Sequence, residues 1–276
     1  MSSLRDRSLL VAGGAAVGAL VYALARRRKA VAARAPFEFS GAAGADAASA
    51  SGADSEDATV RVVCYGDSNT WGFDAFSENA DASVTRRYGE ARRWPRIAAA
   101  ALGDGYAVVE EGLNGRTTIV DDPFMVDYDA NGRRALPAIL HSHKPLDVVV
   151  IMLGTNDLKT HLALTPSQIA KGAGALVGDV RRAGLGRTPA GPRVLLVAPA
   201  VVYDNAPWAF EGARAKSKKC APLFAAEAEA RGAAFLDAGA VCAIPDPATG
   251  GGDGIHLSPA NCEALGAAVA DAIAAL

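Results

Sequence analysis

The chain is poor in the residues that hold metals, with four cysteines and four histidines in 276 residues. Cys64, Cys220, Cys242 and Cys262 lie far apart and form no Cys-x-x-Cys pair, which argues against a zinc site. An excess of either charge is also missing. The net charge of −2 gives no reason to expect nucleic acid as a partner. No internal repeat is visible, and the longest uncharged apolar run, Leu9 to Ala25, only reaches the lower limit for spanning a bilayer. Apolar residues are plentiful at 50%, enough for one sizeable globular domain and an appendage.

That appendage is the amino terminus. Arg5 and Arg7 precede the run 9–25, and Arg26-Arg27-Arg28-Lys29 follow it, so residues 1–34 read as a membrane anchor or a targeting segment. The heavier positive charge after the run favours a cytosolic folded part, and an organelle-targeted or secreted protein is the alternative. Residues 35–58 are rich in Ala, Gly and Ser and hold Glu38, Asp46, Asp54, Glu56 and Asp57 with no base. They read as a flexible linker, which leaves 59–276 as the folded domain.

Within that domain, strands alternate with helices. Thr59–Tyr65, Tyr106–Glu110, Asp147–Leu153, Arg193–Ala198 and Ala234–Asp237 are the expected strands. Asp147–Leu153 is almost pure Val, Ile and Leu, as in a central parallel strand covered on both faces. Trp94-Pro95, Thr165-Pro166-Ser167-Gln168 and Ser258-Pro259 open helices, and Pro222 should kink or split the helix over 213–231. The pattern predicts an α/β protein, a three-layer α/β/α sandwich on a five-stranded parallel sheet.

Three of these strands end in polar turns. Gly66-Asp67-Ser68-Asn69 puts a serine hydroxyl at the carboxyl end of the first strand, where open α/β sheets build their sites. Asn114-Gly115 follows the second strand, and Gly154-Thr155-Asn156-Asp157 follows the third. A nucleophilic serine needs a base. His141 and His143 stand together before a proline with no carboxylate cluster, and His161 reads as a site-lining or surface residue. His256 differs, because Asp253 lies three residues before it, a spacing that lets the carboxylate hold one ring nitrogen while the other faces a serine.

These blocks, in this order, resemble those of the SGNH hydrolases, or GDSL-type esterases. The wording is most similar to the bacterial aryl esterase/acyltransferase group: Gly-Asp-Ser-x-Thr-Trp-Gly, Glu-Glu-Gly-Leu-x-x-Arg-Thr-Thr, Asp121-Asp122-Pro123, Ile-Met-Leu-Gly-Thr-Asn-Asp and Asp-Gly-Ile-His. The resemblance covers about residues 60–276, with Asn69 standing where the group commonly has leucine. It implies a flavodoxin-like fold and a Ser68, Asp253, His256 triad. It also implies an oxyanion hole formed by the amides of Ser68 and Gly115 and the side chain of Asn156. Trp71, Phe73 and Trp208 are expected to wall a small acyl pocket. Arg116 is expected to pair with Asp121 or Asp122, with a substrate carboxylate as the alternative. The implied substrate is a small-molecule ester, hydrolysed or transferred to an alcohol, with no cofactor and no metal. Carbohydrate acetylesterase, lysophospholipase and thioesterase activities are the alternatives, and an inactive tethered binding protein is the reading from outside the enzyme class. Membrane association through residues 9–25 and assembly into a homo-oligomer stay open.

Overall fold

The computed structural model describes residues 59–77, 86–203 and 208–276. The expectations for 1–34 and 35–58 lie outside the described residues. Five strands, β1 (Val60–Gly66), β2 (Tyr106–Gly112), β3 (Val148–Met152), β4 (Arg193–Ala198) and β5 (Ala234–Asp237), form an all-parallel sheet in the order β2-β1-β3-β4-β5. Between and after them, among the described residues, run eight α-helices. These are α1 (Ser68–Trp71), α2 (Trp94–Leu102), α3 (Gly132–His143), α4 (Pro166–Ala183), α5 (Ala213–Ser217), α6 (Cys220–Ala230), α7 (Ala238–Val241) and α8 (Pro259–Ala274).

Alternation along the strands supplies both faces of the sheet. Val63, Tyr65, Val149, Ile151, Val194 and Leu196 point to one face and are covered by α3, α4 and α6 through Leu136, Leu140, Ile169, Leu176 and Phe224. Val62, Cys64, Val148, Val150, Leu195 and Val197 point to the other, covered by α2, α7 and α8 through Trp94, Ala98, Ala238, Leu265 and Val269. The result is a three-layer α/β/α sandwich. Helices α2 and α8 approach closely at Gly266, where a Cβ would lie 2.9 Å from the Trp94 carbonyl oxygen.

Local sequence accounts for most of the boundaries. Helices α4 and α8 begin in capping boxes, Thr165 with Gln168 and Ser258 with Asn261, each with proline at the first position. The helix over 213–231 is split, and the break falls at Lys218 and Lys219, the turn whose carbonyls a ring at Pro222 displaces. All four cysteines are buried and unbridged. Among the described residues no helix is long and apolar enough to cross a membrane, and no three His, Cys, Asp or Glu side chains gather as a metal site would need.

Strand register sets up everything that follows. Gly66 is level with Gly112 on one side and Met152 on the other. The three strands therefore release their chains at one height, and the three polar turns emerge side by side.

Candidate active site

Asp67 caps α1, its Oδ1 accepting the amide of Asn69 at 2.9 Å. This places Ser68 in the first turn of the helix, where backbone amides lack intrahelical partners. Helix α1 ends at Gly72 in the left-handed region, and the amides of Gly72 and Phe73 both bond back to the Ser68 carbonyl. After β2, the Leu113–Arg116 turn is closed by the Arg116 amide on the Leu113 carbonyl at 3.1 Å. Gly115 there has φ +76, a conformation that favours glycine. After β3, Asn156 opens a 3-10 turn, and its Nδ2 donates to the Arg116 carbonyl at 3.2 Å.

The fourth block arrives from the far end of the chain. His256 Nε2 lies 2.9 Å from Ser68 Oγ, and His256 Nδ1 lies 2.6 Å from Asp253 Oδ2. The other oxygen of Asp253 accepts the amides of Ile255 and His256 at 3.0 and 2.9 Å. Burial opposes the charge on Asp253, but the ring of His256 and these two amides outweigh it and hold the carboxyl down at about 2. The imidazole is also covered, with the Phe73 ring 4.3 Å away and tilted by 32°.

Ser68, Gly115, Asn156 and His256 line one cavity of about 260 Å³. Its remaining walls are Phe73, Asn114, Met125, Lys159, Phe210 and Ile255. Trp71 is not among them. Its ring lies under the Arg87 guanidinium at 4.8 Å, and its carbonyl accepts Arg87 Nε at 2.7 Å. The pocket expectation for Trp71 is therefore corrected: α1 turns that ring away toward Arg87, and Phe73, beyond the Gly72 cap, faces the cavity instead. Trp208 begins the 3-10 turn Trp208–Phe210, but its side chain lies outside the described residues.

Arg116 needs a second correction. Asp121 is held by Arg134 and Asn131, and Asp122 by Lys159 at 2.8 Å and His161 at 2.9 Å. Arg116 is buried instead. Its Nη1 donates to the carbonyls of Gly66 (2.8 Å) and Glu111, and its guanidinium lies 4.2 Å above the Tyr65 ring. It ties together the ends of β1 and β2, where the Gly66 carbonyl also accepts the Leu113 amide at 3.1 Å. His143 Nε2 lies 2.7 Å from Glu111 Oε1.

Asp67 and Asp157 sit behind the three turns. Asp157 accepts the Thr118 amide at 2.9 Å and its hydroxyl, which fixes the third turn to the segment after the second. Burial pushes both carboxyls up to about 6, against the pull of the Asn69 amide and the His256 ring on Asp67 and of Thr118 on Asp157.

Several residues that line the cavity or hold it carried no sequence signal of that role. Met125 and Ile255 looked like ordinary apolar residues. Lys159 offered only its position three residues after Asn156.

The GDSL-like Lipase/Acylhydrolase family matches the chain over residues 64–262. Among solved structures, a carbohydrate acetylesterase from Sinorhizobium meliloti is 44% identical, with TM-score 0.69, and the match covers 79% of this chain and 99% of that one. The native aryl esterase of M. Smegmatis is 39% identical, with TM-score 0.70, over 79% of this chain and 100% of that one. A lipase/acylhydrolase from Enterococcus faecalis, 18% identical with TM-score 0.55 over 78% of this chain and 95% of that one, shares the fold. Among curated proteins none matches.

Proposed function

The chain belongs to the GDSL-like lipase/acylhydrolase family, the SGNH hydrolases, and on that premise we propose that it is a serine carboxylic-ester hydrolase that works through an acyl-enzyme. Its substrates are small, short-acyl esters. The observation that carries the reading is the unbroken run from Ser68 Oγ to His256 Nε2 (2.9 Å) and from His256 Nδ1 to Asp253 Oδ2 (2.6 Å) at the wall of the cavity.

Ser68 Oγ attacks the ester carbonyl carbon as His256 Nε2 takes its proton. The carbonyl oxygen becomes an oxyanion, held by the amides of Ser68 and Gly115 and by Asn156 Nδ2. His256 then returns the proton to the leaving alcohol as the carbon–oxygen bond breaks, which leaves an acyl-serine. Water repeats the cycle, giving its proton to His256, adding to the acyl carbon and releasing the acid and free Ser68. Asp253 keeps the imidazole in the tautomer with Nδ1 protonated and stabilises its charged form.

An alcohol can replace water in the second half. Phe73, Met125, Phe210 and Ile255 give the cavity an apolar lining, into which alcohols partition better than water. Acyl transfer therefore competes with hydrolysis. Acetylated carbohydrates are the second candidate substrates, on the strength of the 44% identical relative from Sinorhizobium meliloti.

The test is a panel of p-nitrophenyl esters and acetylated sugars with wild type and Ser68→Ala, together with mass spectrometry after a fluorophosphonate. Turnover lost in Ser68→Ala and a single adduct on Ser68 support the reading. Full turnover in Ser68→Ala overturns it.

A further inference from the structure

The nucleophile turn and the base loop are joined at a second place, one residue away from the reacting atoms. Asn69 directly follows Ser68 and is buried, and its Oδ1 accepts the amide of Leu257 at 3.0 Å. Leu257 directly follows His256, so this bond joins the two backbones beside the pair Ser68 and His256. The Leu257 carbonyl is held as well, accepting Tyr88 Oη at 3.1 Å. On the other flank of His256, Asp253 Oδ1 takes the amides of Ile255 and His256.

Such ties have a reason to exist. The base loop follows Gly250-Gly251-Gly252, and Gly251, Gly252 and Gly254 all have φ between +73 and +76. Glycine in this region confers backbone freedom, checked at Gly254 by its carbonyl accepting the Tyr203 amide at 2.8 Å. The contact between Ser68 and His256 is a single bond between two rotatable side chains. Held by that contact alone, the loop would drift within the range that matters for proton transfer.

We propose that Asn69 is a positioning residue: its bond to the Leu257 amide fixes the separation of the turn that carries Ser68 and the loop that carries His256. The proposal rests on Ser68 and His256 being the reacting pair. Asn69 does not line the cavity, so it acts on the rate of the chemical step and not on the binding of substrate. A buried amide deprived of its acceptor seeks another partner, and the loop moves with it.

The experiment compares Asn69→Leu and Asn69→Ala, which lack an acceptor, with Asn69→Asp, which keeps an oxygen in place. Turnover of p-nitrophenyl acetate is normalised to active sites titrated with a fluorophosphonate, and thermal unfolding is recorded for each variant. Asn69→Leu and Asn69→Ala should lower kcat by about 10- to 100-fold, the range expected of a misplacement near 1 Å, while KM stays within about twofold. Asn69→Asp should retain more turnover than either. If Asn69→Leu fails to fold, Asn69→Ala decides alone. Unchanged kcat per titrated site in the acceptor-less variants, with only a lower unfolding temperature, makes the bond structural and overturns the proposal. An equal loss in Asn69→Asp overturns it too. Ser68→Ala, run beside them, separates the failures, because hydrolysis that survives there refutes the assignment of Ser68 and not the role of Asn69.

Discussion

Replacing Asp253 by asparagine tests the proposed triad more sharply than deleting the residue. Oδ1 of Asp253 is claimed by the amides of Ile255 and His256, both donors, so an asparagine must present its carbonyl oxygen to them. Its NH2 group then faces His256 Nδ1 across the 2.6 Å gap that the carboxylate now spans. A donor there makes Nδ1 an acceptor and moves the ring proton to Nε2. That nitrogen lies 2.9 Å from Ser68 Oγ, where a proton blocks it from acting as a base. The isosteric change thus leaves the geometry intact and inverts the tautomer. The serine proteases lose about 10⁴ in kcat by this route, roughly 5 kcal/mol of barrier. Asp253→Asn should show a loss of that order with p-nitrophenyl acetate at neutral pH, with folding and KM little changed. Asp253→Ala, which leaves the tautomer undetermined, should be no worse. Nitrogen-15 spectra of His256 would report the tautomer directly. Asp253→Asn retaining a tenth of wild-type turnover would refute the reasoning.

Other expectations follow from the same geometry. Asn156→Ala should lower kcat by about 100- to 1000-fold with little change in KM, the usual loss for one oxyanion donor, and steady-state kinetics will show it. Because Asp157 is raised to about 6 by burial, the folded state binds its proton more tightly than the unfolded chain does. Its stabilising contribution is complete below about pH 4 and is lost as pH rises through about 6. Asp157→Asn should therefore flatten the decline of urea-unfolding stability across that window; an unchanged slope would show that Asp157 is not the group titrating. Phe73→Leu should narrow the preference for primary alcohols over water in acyl transfer, read as the ester-to-acid product ratio, and an unchanged ratio would clear Phe73 of that role.

The sheet and the order of the four blocks were legible because their causes are local. Arg193–Ala198 and Ala234–Asp237 are apolar and β-branched or aromatic runs between turn residues, and both strands occupy those positions. Pro222 falls far enough inside the 213–231 run to break it one turn earlier, at Lys218 and Lys219. Asp253 and His256 are close enough in sequence for one turn to join them. The partners of Arg116 could not be read in this way. An arginine near two aspartates suggests an ion pair, and only the parallel ends of β1 and β2 bring the carbonyls of Gly66 and Glu111 within its reach. Trp71 was misplaced for a similar reason. Which way a ring two residues from Phe73 points depends on Gly72 adopting φ +89 and on where Arg87 lies. The bond from Asn69 to Leu257 spans 188 positions, and no pattern of one strand or helix encodes it.

That span also governs when the protein can first act. The proposed nucleophile, the proposed oxyanion turns and the sheet all precede the proposed base, which sits just before α8. On the proposed roles, a chain that has paired only β1, β2 and β3 during synthesis should hold an inert serine. Reactivity on those roles should begin only after the stretch that carries His256 and α8 has left the ribosome and α8 has packed on α2. Refolding should show the same delay, with ester turnover recovering later than helical signal. On the same roles, a product that stops before His256 should be silent as well as unstable.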